Sequence, residues 1–167
     1  MLIKQASRDH FCALRTIELA SFETLRDAHA VSGEPSASSD EELQQYLDHG
    51  FLYAVFDENG VPVGYGGAYV TEGWLHIGEI DVHPSWQQKG LGRRLMETLL
   101  SEGRSRQLGG ATLTTDRFAP FNAPFYTSLG FQLIARDKCS PRLRSVLRSE
   151  VEKGADPLRR VAMVLMF

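Results

Sequence analysis

From Glu79 to Leu95 the chain reads Glu-Ile-Asp-Val-His-Pro-Ser-Trp-Gln-Gln-Lys-Gly-Leu-Gly-Arg-Arg-Leu, a β-rich run that breaks at Pro84 into a glycine turn opening an amphipathic helix. The first N–H groups of such a helix have no intrahelical partner and lie at the positive end of its dipole. The junction therefore suits an anion. Gly90 and Gly92 remove the Cβ atoms that would hold a phosphate off the backbone, and Lys89, Arg93 and Arg94 add side-chain charge. A lone G-x-G is equally the mark of a tight turn. Two common phosphate binders are excluded: Leu95 stands where a dinucleotide fingerprint needs its third glycine, and no G-x-x-x-x-G-K-[ST] occurs.

Several elements must hold this junction in place. Met1 to Ala6 reads as an edge strand, and Phe11, Leu14, Ile17 and Leu25 then share one helical face, with Ser7 or Asp9 available as a cap. From Arg26 to Ser39 the apolar period is lost to Gly33, Pro35 and four serines, which predicts a mobile surface loop placed to cover a site. Ser39-Asp40-Glu41-Glu42 fits a capping box, and Leu43, Tyr46 and Leu47 stripe a short helix that stops at Gly50. Phe51 to Phe56 and Val63 to Val70 are strands joined through Asn59-Gly60, a pair suited to the positive φ angles of a tight hairpin. Trp74 to His83 completes a three-stranded meander closed by Pro84.

Leu91, Leu95, Met96, Leu99 and Leu100 line one face of the next helix, which is expected to reach about Leu108 and end near Gly109-Gly110. Ala111 to Thr115 is a strand, Ala123 to Leu129 a helix stopped by Gly130, and Phe131 to Ala135 and Val161 to Phe167 are final strands. Between them Pro141 to Lys153 carries Leu143, Val146, Leu147 and Val151 at helical spacing; the face bearing Arg142, Arg144 and Arg148 is expected to be solvated, a homodimer contact being the alternative.

With 167 residues the chain is the size of one domain, expected to span 1–167. A net charge of -3 supplies no field for nucleic acid, and no apolar run approaches the roughly 20 residues of a bilayer span. The start MLIKQASRDH lacks a signal-peptide pattern, so a cytoplasmic protein without a membrane partner is expected. Cys12 and Cys139 stand alone, and His10, His29, His49, His76 and His83 are scattered without HExxH. No metal site is predicted.

Gln87, Gly90 and Gly92 fit Q/R-x-x-G-x-G/A, and Asn122-Ala123-Pro124-Phe125-Tyr126-Thr127-Ser128-Leu129-Gly130-Phe131 is similar to an A-x-x-x-Y-x-x-x-G-F segment. On these motifs, and on the order of elements along nearly the whole chain, the sequence resembles the GNAT superfamily of acyl-CoA-dependent N-acetyltransferases. The resemblance implies an α/β (α+β) fold: a mixed, mostly antiparallel central sheet of about seven strands flanked by helices, with an extra helix between the last two strands. It implies acetyl-CoA as acyl donor, with the backbone of Ile80, Asp81 and Val82 on the pantetheine arm and Gln88, Lys89, Gly90, Leu91, Gly92 and Arg93 around the pyrophosphate. Gln87, Asn122 and Phe125 complete the expected donor contacts. Part of the superfamily has an asparagine seven residues before the tyrosine, a position held here by Ala119.

An alkylammonium with a pKa of about 10 is neutral in about one molecule per thousand at pH 7, so a proton acceptor helps it attack a thioester. Glu79 is the preferred candidate, because Leu75 and Ile77 share its face by alternation and bury it. Asp81 has the same parity and is the rival; His83 reads as a loop residue. Tyr126 is the candidate acid for the leaving thiolate, against the plain alternative that it packs on Phe125 and Phe131. A backbone N–H near Val82, freed by a bulge, would polarise the thioester carbonyl.

The loop from Arg26 to Ser39, the hairpin at Asp57 to Gly60 and the turn before Trp74 are expected to frame the pocket of the amine acceptor, with Asp27, Glu34 and Glu72 attracting a cation and Tyr69 and Trp74 available for packing. The reaction implied is direct acetyl transfer to a primary amine of a small molecule or peptide in a ternary complex. Neither cysteine lies near the motif tyrosine in sequence, which disfavours a covalent intermediate. A non-catalytic acyl-CoA sensor or an interaction domain is the alternative.

Overall fold

The computed structural model describes residues 1–29 and 33–167. Its strands are β1 (Leu2–Gln5), β2 (Leu52–Phe56), β3 (Pro62–Thr71), β4 (Trp74–Val82), β5 (Gly110–Asp116), β6 (Gln132–Ile134) and β7 (Arg160–Met166). They form one sheet in the order β1-β2-β3-β4-β5-β7-β6, antiparallel except for the β4–β5 pair. The helices are α1 (Phe11–Asp27), α2 (Asp40–Asp48), α3 (Leu91–Ser105), α4 (Ala123–Ser128) and α5 (Pro141–Glu152).

Two apolar clusters clamp the sheet. On one face Met96, Leu99 and Leu100 of α3 bury Leu75 and Ile77 of β4 and Leu113 of β5. On the other, Leu14 and Ile17 of α1 and Leu43 and Tyr46 of α2 cover Leu52, Ala54 and Tyr65. The helix inserted before β7 packs Leu143 and Leu147 on Ala162. Of the predicted capping box one half forms: Ser39 Oγ accepts the Glu42 N–H at 3.2 Å, while the Glu42 carboxylate turns to the Ser39 hydroxyl at 3.4 Å. Among the described residues no helix is long and apolar enough to cross a membrane.

The ladder between β4 and β5 is short. Only Leu75↔Ala111 and His76↔Thr112 pair, so from residue 77 to 82 the outer edge of β4 has no strand beside it. His83 N–H reaches Val63 O at 2.9 Å, so by alternation the N–H and C=O of Ile80 and Val82 point away from β3, into this gap. Val82 N–H is thus freed by strand divergence and not by a bulge at Val82.

A bulge does occur, four residues earlier. Ile77 pairs with Ala68 and Glu79 with Gly67, leaving Gly78 as an extra residue. The insertion reverses the alternation: Leu75 and Ile77 face α3, whereas Glu79 and Asp81 share the opposite face with His76. The expectation that Leu75 and Ile77 flank Glu79 is corrected accordingly, and α1 and α2 supply its surroundings instead. Tyr46 fills the space above the bulge, so that a Cβ on either Gly67 or Gly78 would come within 2.2 Å of its side chain. Gly78→Ala forces that ring to move; a loss of about 1–3 kcal/mol is expected, read as a fall in Tm of about 3–10 °C.

Other differences are local. In the β2–β3 hairpin only Gly60 has positive φ, because the Asp57 carboxylate accepts the N–H groups of Asn59 and Val61, both at 2.9 Å, and stabilises a wider turn. α1 continues through Asp27, and α3 stops at Ser105, earlier than expected. The loop predicted from Arg26 to Ser39 includes residues 30–32, which lie outside the described residues. Arg142 is not solvated: its side chain is 16% exposed and reaches His76 and Thr112.

Candidate active site

Where β4 parts from β5, a cavity of about 390 Å³ opens against the start of α3 and one side of α4. Ile80, Asp81 and Val82 form one wall, Gln87, Gln88, Gly90, Leu91, Gly92 and Arg93 a second, and Asn122, Phe125 and Tyr126 a third. Of the predicted donor contacts, only Lys89 stands off the lining; its ammonium lies 4.7 Å above the Trp86 ring.

The bend is conformationally specific. Gln88 and Gly90 both take left-handed backbone, φ 61° and 77°. No protein atom comes within 4 Å of a Cβ built on Gly90, so backbone angle rather than crowding inside the protein selects glycine there. The first N–H of α3 to find a backbone partner is that of Arg94, on Gly90 O at 3.1 Å; among the described residues no hydrogen bond engages the N–H groups from Gln88 to Arg93. Gln87 braces the bend by donating to Val82 O at 2.9 Å, and His83 accepts the Ser85 N–H at 3.2 Å. Arg93 donates to Ser128 Oγ at 2.6 Å, and among the described residues neither it, Lys89 nor Arg94 pairs with a carboxylate. Their charge is available to an anion.

Beside the first cavity, and sharing α1 as a wall, a second cavity of about 580 Å³ runs between α1, α2, the segment 36–38 and α5. Glu79 lines this second cavity, and Asp81 lines both. The two spaces adjoin at Leu25 and Asp81. Asp81 is 8% exposed, and its Oδ2 is enclosed without a hydrogen-bond partner.

Sequence reasoning missed a third carboxylate. Glu18 of α1 accepts the N–H and hydroxyl of Ser38 at 2.7 and 2.9 Å and the Tyr65 hydroxyl at 3.1 Å, pinning the segment that follows residue 35. Oxygens of Glu18, Glu79 and Asp81 lie within 4.8 Å of one another. This is the cluster among the described residues with the spacing to share a cation, although Ser38 and Tyr65 already engage Glu18. The signal was present: a glutamate on the same stripe as Leu14 and Ile17.

Burial, followed by mutual repulsion, pushes the acids upward. Glu79 is held well above the usual carboxylate range by desolvation and by the charge of Asp81; Asp81 is pushed up to about 7 by desolvation and then by Glu18, with hydrogen bonds from Glu79 and Ser21 opposing the shift. The two carboxyls thus share a site in which burial and mutual repulsion favour holding a proton. Burial and the neighbouring Asp81 and Glu79 also raise Tyr126, whose hydroxyl makes no hydrogen bond among the described residues and whose ring packs edge-on against Phe125 and Phe131. Asn122 donates to Thr115 Oγ1 at 2.8 Å while its own Oδ1 stays enclosed and unpartnered.

The second cavity is framed differently from expectation. Tyr69 and residues 36–38 line it, but the 57–60 hairpin, Asp27, Glu34 and the turn before Trp74 do not. Trp74 packs over Gly110, and Glu72 pairs with Arg142 at 3.6 Å.

Residues 13–131 match the profile of the Acetyltransferase (GNAT) family. The chain belongs to that family. Among solved structures, this GNAT chain is similar to N-acetylglutamate synthase from Neisseria gonorrhoeae complexed with coenzyme A and N-acetyl-glutamate, with a TM-score of 0.72 and 16% identity over 99% of its own length but 34% of that protein's. It is also similar to the ribosomal-protein-S18-alanine N-acetyltransferase from Escherichia coli, at TM-score 0.66 and 18% identity over 99% and 92% of the two chains. PaiA N-acetyltransferase from Thermoplasma acidophilum in complex with coenzyme A gives 0.67 and 11%, over 99% and 98%. At such identities the likeness is one of fold: a seven-stranded sheet flanked by helices.

Proposed function

We propose that this GNAT chain transfers an acetyl group from acetyl-CoA to a primary amine by direct attack in a ternary complex. The observation that carries the reading is Asp81, the titratable residue that lines both cavities. Donor and acceptor entering from the two cavities would meet beside it.

In this reading the free N–H groups from Gln88 to Arg93 hold the pyrophosphate of acetyl-CoA, while the unpaired edge of Ile80 and Val82 offers hydrogen bonds to the pantetheine arm. Val82 N–H is the candidate donor to the thioester oxygen. Glu79 and Asp81 act as a pair: Glu79, protonated, donates to Asp81, and Asp81 accepts the amine proton directly or through water. Collapse of the tetrahedral intermediate breaks the C–S bond, and Tyr126, kept protonated by its surroundings, delivers a proton to the thiolate.

Calorimetric titration with CoA followed by thiol release from acetyl-CoA over an amine panel tests the proposal. One CoA bound per chain and amine-dependent thiol release are expected. Binding without release would leave a sensor, and absence of binding would overturn the reading of the bend.

A further inference from the structure

We propose that His76 presents its Nε2–H to the acceptor cavity and reads a carbonyl oxygen next to the attacking amine, so that the acceptor is an α-amino amide, as at the amino end of a peptide. The inference rests on the acetyl-transfer reading above and deepens it.

His76 is 3% exposed and sits in β4, on the same face as Glu79. Its Nδ1 lies 3.0 Å from Thr112 Oγ1 and 3.3 Å from Arg142 Nη1. A guanidinium only donates hydrogen bonds, so Nδ1 must offer its lone pair and the ring proton must reside on Nε2. Arg142 Nη2 donates to Thr112 Oγ1 at 3.2 Å as well, which fixes the group as a unit. Nε2 has no hydrogen-bond partner among the described residues and is not among the enclosed unpaired atoms, and the residue lines the acceptor cavity. The free N–H opens onto that space. Burial and then the charge of Arg142 push the imidazole down to about 4, so it is uncharged at neutral pH and serves as a donor rather than a base.

Across the Gly78 bulge, His76 and Glu79 are successive residues on one face, about 7 Å apart along the strand. The Glu79 and Asp81 oxygens lie within 4.8 Å of each other, so His76 on one side and that pair on the other can grip an oxygen and an amine on neighbouring atoms. The oxygen is assigned to an amide rather than a carboxylate because of charge. Glu18, Glu42, Glu79, Asp81 and Glu150 line the cavity with Lys153 and Arg160, and Arg142 stands behind His76. Arg160 pairs with Glu150, Arg142 pairs with Glu72, and Glu79 holds its proton in the proposed pair, so Glu18, Glu42 and Asp81 face Lys153 alone and a carboxylate on the acceptor would be repelled.

The test compares kcat/KM for alaninamide, alanine and propan-2-amine in the wild type, His76→Phe and His76→Gln. The alaninamide to propan-2-amine ratio is expected to fall about tenfold or more in His76→Phe and to recover in His76→Gln, whose amide still donates. Taking the ratio within each protein cancels any loss of folded material, so an unchanged ratio overturns the proposal. Alanine turned over better than alaninamide by the wild type would overturn the amide assignment. Nitrogen-15 NMR of the imidazole supplies a readout that needs no turnover: an Nε2–H tautomer is expected at pH 7, and an Nδ1–H tautomer overturns the donor role. Should the wild type release no thiol with any of these amines, the proposed function fails and His76 is judged by titrating alaninamide into the CoA-loaded protein. Binding weakened about tenfold in His76→Phe supports the donor role; equal binding overturns it.

Discussion

Asp81→Asn is expected to lower kcat by about 100-fold or more and, at pH 8, to make the protein more stable than the wild type. Both effects come from one buried group. As the proposed base, Asp81 works only when ionised, so the wild-type rate should fall as pH drops through about 7, and the asparagine variant should lose that limb. For stability the sign is opposite. The folded carboxyl titrates above its unfolded value of 3.8, so between about pH 4 and 7 the unfolded chain releases a proton that the folded chain keeps. Folding is therefore favoured below that window and progressively penalised as pH rises through it. Asparagine removes the penalty, for a gain on the order of 2 kcal/mol and a rise in Tm of about 4–8 °C at pH 8, with little gain at pH 4. Glu79→Gln should behave differently, because it replaces the proposed proton donor of the pair and leaves Asp81 as the base: the acidic limb persists and the rate loss is smaller than in Asp81→Asn. Equal pH–rate profiles for Asp81→Asn and the wild type would remove Asp81 from the mechanism.

Tyr126→Phe separates chemistry from packing. The ring contacts with Phe125 and Phe131, at 5.1 and 6.0 Å between centroids, survive the change, and the lost hydroxyl has no hydrogen-bond partner among the described residues. Melting temperature should therefore hold or rise slightly, since no internal hydrogen bond is broken. Without a proton donor the thiolate leaves from an unassisted intermediate, and kcat is expected to drop about 100-fold while CoA still binds. An unchanged kcat would leave Tyr126 as a packing residue.

The glycine bend was legible because its chemistry is local. Gln87, Gly90 and Gly92 carry their backbone requirement in their own residue types, and the cavity wall formed around them contains most of the predicted donor contacts. The start of α2 was legible for the same reason, as Ser39 shows, whereas α1 begins after His10 and not at the expected Ser7 or Asp9 cap. What escaped was everything set by one inserted residue or by long-range packing. Gly78 reverses the faces of β4, so correct strand assignment still put Glu79 among the wrong neighbours. A glycine inside a β-rich run is the available hint of such a bulge. Glu18 was overlooked and Arg142 was expected in solvent because each is a charged residue on an otherwise ordinary helix, and only the fold brings one to Ser38 and Tyr65 and the other to His76 and Thr112.

Initial rates of thiol release, with acetyl-CoA and alaninamide both varied, address the meeting of two substrates at Asp81 most directly. Direct attack across adjoining cavities requires both to be bound at once, and the double-reciprocal lines should intersect. Parallel lines, the sign of an acetylated enzyme formed before the amine arrives, would contradict it.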